Sequence, residues 1–474
     1  MFEEKLEEFE PIFYPKSIAV VGTSANEKKV GSRWVKGLIS AGFHGLIYPI
    51  GSREGSISGL KIFPNLRLVP GEIDYVIVAI PRQSVLEFLD DCIAKKVKVV
   101  QFFTAGFSET GKVEGHELED KMLRKARQGG IRIIGPNCAG IYCPETKVPC
   151  GPSSEGRIGI SGSVGFISQS GGIVVKLMQL GIARHINYSK GISFGNGVDL
   201  DASDFLQYLA ADSKTTVIGA YLEGTRDGCR LLETMKEVAK IKPLIVWKGG
   251  RTEIGAQAAM SHTGSLASSA SVWSVALKQA RAIEVHNLEE LADALLIFQQ
   301  LRFWQGNNVA IIGGLADGGG GISVSVSDAC VESGLELPLL SKKTRRELTN
   351  LLGEVGSILR NPIDVSQAGR HGLSTLFQAI ELVVQDPVIE LVLIQEDIDV
   401  ILSYWAEAER VNDFLIDLRS KQGKPLVVAL PPGSAEPERL EIEQGLLKAS
   451  IPVFPTMERA AKAIMAINKY FSSR

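Results

Sequence analysis

Short, unbroken apolar runs alternate with segments of helical spacing along the chain. In the first block, from about 10 to 145, KSIAVVGTS (16–24) predicts a buried strand followed by a glycine turn. VGSRWVKGLISAG (30–42) predicts a helix and GLIYPI (45–50) a second strand. DYVIVAI (74–80) is a third strand, stopped by Pro81, and 82–95 has helical spacing. VKVVQFF (97–103), a helix over 114–129 and IRIIGPN (131–137) complete the series. Strands that are apolar at successive positions need cover on both faces, so the alternation predicts a parallel sheet with helices on either side.

The pattern restarts twice, after Pro/Gly clusters near 145–157 and 300–307. Between about 155 and 300, GFISQSGG runs from strand into a helix at 171–181, and RHINYSKGISFG ends a strand. A short helix follows at 203–210, then strands at TTVIGAYLEG (215–224) and KPLIVWKGG (242–250). SHTGSLASSASVWSVALKQA opens a further helix. The last block begins at GNNVAIIGG (306–314), continues through IELVLIQ, PLVVAL and PVF, and ends in a helix near 456–470. The expectation is an α/β chain of three consecutive doubly wound domains, at 1–150, 151–302 and 303–474. The architecture repeats; the sequence does not.

Composition narrows the class. Lys plus Arg number 51 against 54 Asp plus Glu, a net charge of -3. That balance lacks the basic footprint of a nucleic-acid binder. The six cysteines are scattered, which fits a reduced, cytoplasmic protein rather than a disulfide scaffold or a zinc module. The opening MFEEKLEEFEPIF has no signal-peptide core, and no apolar run reaches the length of a membrane span.

Candidate chemistry gathers at strand ends, where open parallel sheets bind ligands. The first glycine turn reads GTSANEKKVG, which is not the dinucleotide fingerprint, and no acidic residue closes the second strand. NAD is therefore disfavoured. Lys28 and Lys29 suit the phosphates of a different nucleotide-containing ligand, although a solvated pair of loop lysines is an equal reading. In the second block three features stand at strand ends: SQSGG (168–172), Glu223, and His262 among small residues. The helix start at SQSGG and the one at Thr263, Gly264 and Ser265 both offer free N–H groups to an anion. Between them, a phosphoryl group on His262 would meet dipoles already in place. Glu223 would accept a proton from one ring nitrogen and leave the other as nucleophile. Each residue also has a plainer reading: a lone histidine is usually a packed or solvated one, and a Ser/Gly helix start is usually just a cap. SQSGG is not a hydrolase elbow, because Phe166 and Ser170 stand where GxSxG needs glycine. No HExxH occurs, and the six histidines are isolated, so no metal site is predicted. Asp199 and Asp201 in GNGVDLD read as caps, or as a loop beside the substrate, rather than as Mg²⁺ ligands.

These residues carry a resemblance. GFHGLIYPI, TAGFSETG, IIGPNCAG, GFISQSGG, ISFGNGVDLD and above all KGGRTEIGAQAAMSHTGSLA are similar to the α subunit of ADP-forming acyl-CoA synthetases, relatives of succinyl-CoA synthetase. The resemblance covers nearly the whole chain. It implies a Rossmann-like CoA-binding domain followed by two flavodoxin-like ligase domains. It places Gly22, Thr23, Ser24, Lys28 and Lys29 at the nucleotide end of CoA. Pro81, Ser84, Thr104, Ala105 and Gly106 would lie along the pantetheine arm, with Asn137 and Cys138 near the thiol. His262 matches the phosphorylated histidine and Glu223 its supporting carboxylate. Ser168, Gln169, Ser170, Gly171 and Gly172, with Thr263 and Gly264, would hold the phosphoryl group.

The implied reaction passes from acyl-CoA and phosphate to acyl phosphate, then to phospho-His262, then to ADP. CoA is a substrate. Mg²⁺ and ADP/ATP belong mainly to an ATP-grasp β subunit, with α₂β₂ the expected assembly and a small carboxylic acid the other substrate. Two loops depart from the family's pattern: IYPIGSREG lacks the Asn and Lys of PVNPK, and GGLADGGGG replaces a compact GGPG turn. They support the alternative of a CoA-binding regulatory or scaffold homologue without turnover. An NAD-dependent oxidoreductase rests on the first sheet alone.

Overall fold

A computed structural model describes residues 2–152, 157–257, 269–302, 304–315, 319–353, 360–365, 372–404 and 408–472. The chain forms two compact units, Met1–Leu295 and Leu296–Arg474.

The first unit holds two sheets. In the first sheet, β1 (Ser17–Val21), β2 (Leu46–Ile50), β3 (Tyr75–Val78), β4 (Val99–Phe102) and β5 (Arg132–Ile134) are all parallel, in the order β2-β1-β3-β4-β5. A small antiparallel hairpin, Gly55–Ile57 with Leu60–Ile62, follows β2. Alternate residues of β1 serve opposite faces. Ile18 and Val20 join one buried cluster, and Ala19 and Val21 the other. Helices α2 (Val30–Ala41), α3 (Val85–Ala94) and α4 (Val113–Gln128) connect these strands. On α2, Trp34, Val35 and Leu38 are buried on one face, and Gly42 ends the helix at φ +80°.

The second sheet begins with a short strand, β6 (Gly140–Tyr142). It lies antiparallel at the edge of the parallel strands β7 (Val164–Ser168), β8 (Tyr188–Ser193), β9 (Val217–Leu222), β10 (Leu244–Lys248) and β11 (Ile283–Val285). The order is β11-β10-β9-β7-β8-β6. Its helices are α5 (Gly171–Arg184), α6 (Ala202–Ala211), α7 (Gly228–Ile241) and α8 (Ala270–Ala280). The two sheets share a core. The first helix, α1 (Glu4–Phe13), lays Phe9 and Phe13 on Tyr208 of α6, with ring centroids 5.1 and 4.6 Å apart. Each such ring pair adds about 0.5–1.5 kcal/mol beyond the area buried. Ion pairs hold the same seam, Lys5 to Asp204 at 3.0 Å and Arg132 to Glu8.

In the second unit, β12 (Val309–Leu315), β13 (Ile363–Asp364), β14 (Leu391–Glu396), β15 (Leu426–Ala429) and β16 (Val453–Phe454) form a third parallel sheet, in the order β13-β12-β14-β15-β16. The expected doubly wound architecture is present three times. In each sheet the parallel strands, counted along the chain, lie in the order 2-1-3-4-5. Strand order reverses between the first and third of these strands, and the crevice beyond their carboxyl ends is where such sheets bind ligands.

Among the described residues, no helix is long and apolar enough to cross a membrane.

Candidate functional site

At the first sheet's reversal point, the turn after β1 is drawn tightly inward. Gly22 adopts φ +96°, and a Cβ there would meet the Ala79 carbonyl oxygen at 2.2 Å. The Gly22 and Thr23 N–H groups both donate to the Ile50 carbonyl, and the Thr23 hydroxyl donates to it at 2.6 Å. The Thr23 side chain thus ties the turn to β2. The Ser32 hydroxyl donates to the Ser24 carbonyl and accepts from the Ser24 N–H. Lys28 and Lys29 are exposed, and their ammonium groups have no partner among the described residues.

The neighbouring strand ends carry the other residues expected along a pantetheine arm. Pro81 and Ser84 lie exposed at the turn from β3 into α3. Thr104, past the end of β4, donates its hydroxyl to the Ile80 carbonyl at 2.8 Å and accepts the Asn137 N–H on its own carbonyl at 3.0 Å. Ala105 is exposed, and Gly106 and Asn137 are half-buried. Gly106 sits at φ +104°. Its N–H donates to Glu109 and its carbonyl accepts from Arg82. Cys138 is buried, with its sulfur facing the Phe102 and Ile134 carbonyls, and burial pushes the thiol far above its ordinary value. A thiol held in that state packs the turn and is no nucleophile at neutral pH.

The turn at 135–138 touches the second sheet. The Ala139 N–H donates to the Ser193 hydroxyl at 3.0 Å, and a Cβ on Gly171 would lie 3.0 Å from the Ala139 Cβ. A Cβ on Gly195 would meet the Pro136 and Asn137 carbonyls at 2.3 and 2.4 Å. Glycine at 171 and 195 is therefore what lets the two sets of strand ends meet. The start of α5, expected to hold phosphate, stands beside the turn expected near the thiol.

In SQSGG, Ser170 caps α5 through the Ile173 N–H. The buried Ser168 hydroxyl accepts from the Ser170 N–H and donates to the Ser170 carbonyl, so it shapes the turn. Gly171 is half-buried and Gly172 exposed, and their N–H groups have no partner among the described residues. Two orphan donors at a helix start suit an anion. Gln169 acts differently from its neighbours. Its carboxamide oxygen accepts the N–H groups of Glu223 and Gly224, the latter at 2.9 Å. It is a clasp between the ends of β7 and β9.

Glu223 follows β9 and is buried. The Tyr221 phenol donates to its carboxylate, and burial, with Glu223 beside it, pushes that phenol up. The Lys248 ammonium, at the end of β10, donates to the Glu223 carbonyl at 2.8 Å and to the Gly249 carbonyl. It also lies over the Trp273 ring, 5.4 Å from its centroid. Desolvation lowers the Lys248 pKa, and the Glu223 charge opposes that shift. Tyr221 and Lys248 were not among the residues expected from the sequence. A lysine ending an apolar strand reads as a solvated tip, and its burial here depends on Trp273, which arrives from α8.

His262, Thr263 and Gly264 lie outside the described residues. In chain order they belong to the connection that leaves β10, the strand paired with β9, whose end carries Glu223. Asp201 is the N-cap of α6, accepting from the Ser203 N–H at 2.8 Å in a reciprocal box with Asp204. Asp199 accepts the Ile133 N–H at 3.0 Å and pairs with Arg132. Asp201 is thus a cap, one of the readings the sequence offers, whereas Asp199 ties the turn after β8 to β5. Among the described residues, no group of three or more His, Cys, Asp or Glu is placed to hold a metal.

Known proteins are similar to this chain along most of its length. A model described as a CoA binding domain matches residues 16–144, one described as a succinyl-CoA ligase like flavodoxin domain matches 161–298, and one described as a ligase-CoA domain matches 309–474. The chain is 35% identical over 469 residues to the acetate–CoA ligase [ADP-forming] I subunit alpha of Pyrococcus furiosus, covering 97% of each. It is 32% identical over 461 residues to the acetate–CoA ligase [ADP-forming] I of Archaeoglobus fulgidus, covering 97% of this chain and 63% of that one. Among solved structures, a dinucleotide forming acetyl-coenzyme A synthetase 1 of Ca. Korarchaeum cryptofilum, in complex with phosphate and ADP, matches with a TM-score of 0.84. That match has 30% identity and covers 98% of this chain and 97% of the other.

Proposed function

The chain belongs to the ADP-forming acyl-CoA ligases of the succinyl-CoA synthetase superfamily as an α subunit, and on that premise we propose that it interconverts an acyl-CoA and an acyl phosphate and relays the phosphoryl group through His262. The observation that carries this reading is the meeting of two sets of strand ends. The 104–106 and 135–138 turns of the first sheet, the start of α5 and the Glu223 turn of the second converge on one junction.

In the first step a phosphate oxygen attacks the thioester carbonyl, the C–S bond breaks, and CoA leaves as thiolate. The Gly171 and Gly172 N–H groups hold the phosphate and stabilise the charge gathered on it. In the second step a ring nitrogen of His262 attacks phosphorus and the P–O bond to the acyl group breaks, releasing the carboxylate. Glu223 accepts the hydrogen bond from the other ring nitrogen, so that the attacking one is unprotonated. In the third step an oxygen of ADP takes the phosphoryl group, and the P–N bond breaks to regenerate imidazole and give ATP. All three steps run in either direction.

CoA lies across the first sheet. Its phosphates are drawn to Lys28 and Lys29 at the turn after β1, and its pantetheine arm passes Pro81, Ser84 and 104–106 toward Asn137. The nucleotide site belongs to a partner. The chain matches the Archaeoglobus relative over 63% of that protein's length, and we place an ATP-grasp module, with its Mg²⁺, in the remaining length. Here that module would be a separate β subunit, in an α₂β₂ assembly.

The test is direct phosphorylation. The chain is incubated with phosphate and a panel of acyl-CoAs, then with its β subunit and Mg-ATP, and its intact mass is read under conditions that preserve phosphohistidine. One phosphoryl group, absent in His262→Ala, is expected. A wild-type protein that stays unmodified under both conditions, while still binding CoA, would overturn the reading in favour of a binding protein without turnover.

A further inference from the structure

One buried carboxylate joins the segments that the reaction must coordinate. Glu119, on α4 of the first sheet, is 2% exposed. Its Oε2 accepts the Ser108 hydroxyl at 2.7 Å, the Ser108 N–H at 3.3 Å and the Asn196 amide at 2.9 Å. Its Oε1 pairs with the Arg226 guanidinium. Ser108 belongs to the 104–111 loop, Asn196 to the turn after β8, and Arg226 to the turn that begins at Glu223.

A second carboxylate extends the connection. Glu109 accepts the Gly106 and Phe107 N–H groups and, at 2.7 Å, the same Asn196 amide. The Gly106 backbone is therefore held by Glu109 on one side and by Arg82 on the other. At the far end, the N–H of Glu223 is clasped by Gln169 and its carbonyl by Lys248. Only Gly224 and Thr225 separate Glu223 from Arg226. A displacement of the 104–111 loop has a short path of charge-assisted bonds to the turn that carries Glu223, and such bonds are the strong ones.

We infer that Glu119 is a positioning residue that, through Arg226, sets the register between the 104–111 loop and the Glu223 turn. The inference rests on the acyl-CoA ligase reading above, in which that loop meets the pantetheine arm and Glu223 supports the phosphorylated histidine. Glu223 has two supports, and they divide the work. Gln169 and Lys248 hold it within its own sheet, whereas Arg226 ties its turn to the first sheet. Loss of the Arg226 tie should leave phosphoryl exchange between nucleotide and histidine intact. It should impair only the half-reaction that begins from acyl-CoA.

The experiment uses the enzyme assembled with its β subunit and compares two partial reactions of the same histidine. One is phosphorylation by acetyl-CoA plus phosphate, and the other is phosphorylation by Mg-ATP without CoA. In Glu119→Gln and in Arg226→Met the first rate is expected to fall about tenfold, with the second within about twofold of wild type. The double variant should lose no more than either single one, since both remove one interaction. Arg226→Lys, which keeps the charge on a half-exposed side chain and tests the role if Glu119→Gln folds poorly, should recover part of the lost rate. Equal losses in both partial reactions, or additive losses in the double variant, would overturn the inference and leave Glu119 as a staple. If wild type performs neither partial reaction, the ligase reading itself fails.

Discussion

The second and third sheets share one topology and place a glutamate at the same point, the carboxyl end of the third strand beside the reversal of strand order. The glutamates differ in what surrounds them. Glu223, after β9, is wired: Gln169 takes its N–H, Lys248 its carbonyl, and Tyr221 its carboxylate. Glu396, which ends β14, is buried, and desolvation pushes its pKa from 4.5 up to about 7. The fold supplies the location twice, with different surroundings. In the proposed relay a charged carboxylate beside an imidazole needs donors and a nearby cation, and among the described residues Tyr221 and Lys248 stand at Glu223 to supply them.

The sharpest break in that comparison is the paired substitution of both glutamates by glutamine. Glu223→Gln is expected to slow phosphorylation of His262 by about 10²- to 10⁴-fold, the range for a lost acid–base partner. Glu396→Gln should leave the phosphoryl level unchanged. Rapid single-turnover measurements on both variants read this directly. Equal behaviour would mean that the wiring around Glu223 has no catalytic consequence.

A smaller effect separates the two sites by stability. Folded Glu396 keeps a proton that the unfolded chain has already lost between pH 4.5 and about 7. Its burial therefore weakens the fold progressively as pH rises through that window, and fully above it. Glu396→Gln removes this dependence and should stabilise the protein at pH 8 by about 3 kcal/mol. Denaturation curves recorded from pH 4 to 8 test it. Parallel curves for the two proteins would show that Glu396 is already ionised.

Gln169→Leu sharpens the other half of the comparison. It strands two N–H groups at the head of the Glu223 turn, a loss of about 2 kcal/mol in stability. It should slow both partial reactions together, in contrast to Arg226→Met. The mildest change concerns the first sheet's reversal point, where the polar groups are on the surface. Replacing both Lys28 and Lys29 by alanine should weaken CoA binding by about 1 kcal/mol at low salt, and by less as salt is raised. Calorimetric titrations at two ionic strengths would show it, and a loss independent of salt would mean that the lysines do not meet phosphates.

The strands were legible because buried parallel strands are unbroken apolar runs, and KSIAVV, DYVIVAI and IELVLIQ each end where glycine, proline or an acid stops them. The helix at Glu4–Phe13 was not read as one, since Pro11 interrupts an acidic segment whose fully buried residues are Phe9, Ile12 and Phe13. The strand Ile363–Asp364 is too short for any periodicity to register. At the site, Glu223 and Ser170 were visible from their positions at a strand end and a helix start. The part played by Gln169 was hidden, because nothing local tells whether an amide will face a ligand or a distant backbone. Glu119 and Arg226 were hidden for the same reason: each reads as a solvated charge, and their pairing appears only when the two sheets meet.

That meeting has a consequence for solubility. β5 is the last strand of its sheet, an open edge of the kind that invites pairing with other chains. Here the edge is covered. The N–H groups of Asn196, Val198 and Leu200 donate to the carbonyls of Pro136, Gly135 and Ile133, so a segment from the second sheet lies along it as a guard strand. A fragment cut after residue 150 would keep its whole first sheet and lose this cover. Such a fragment is expected to associate edge to edge, whereas the chain that keeps the whole second sheet keeps its guard.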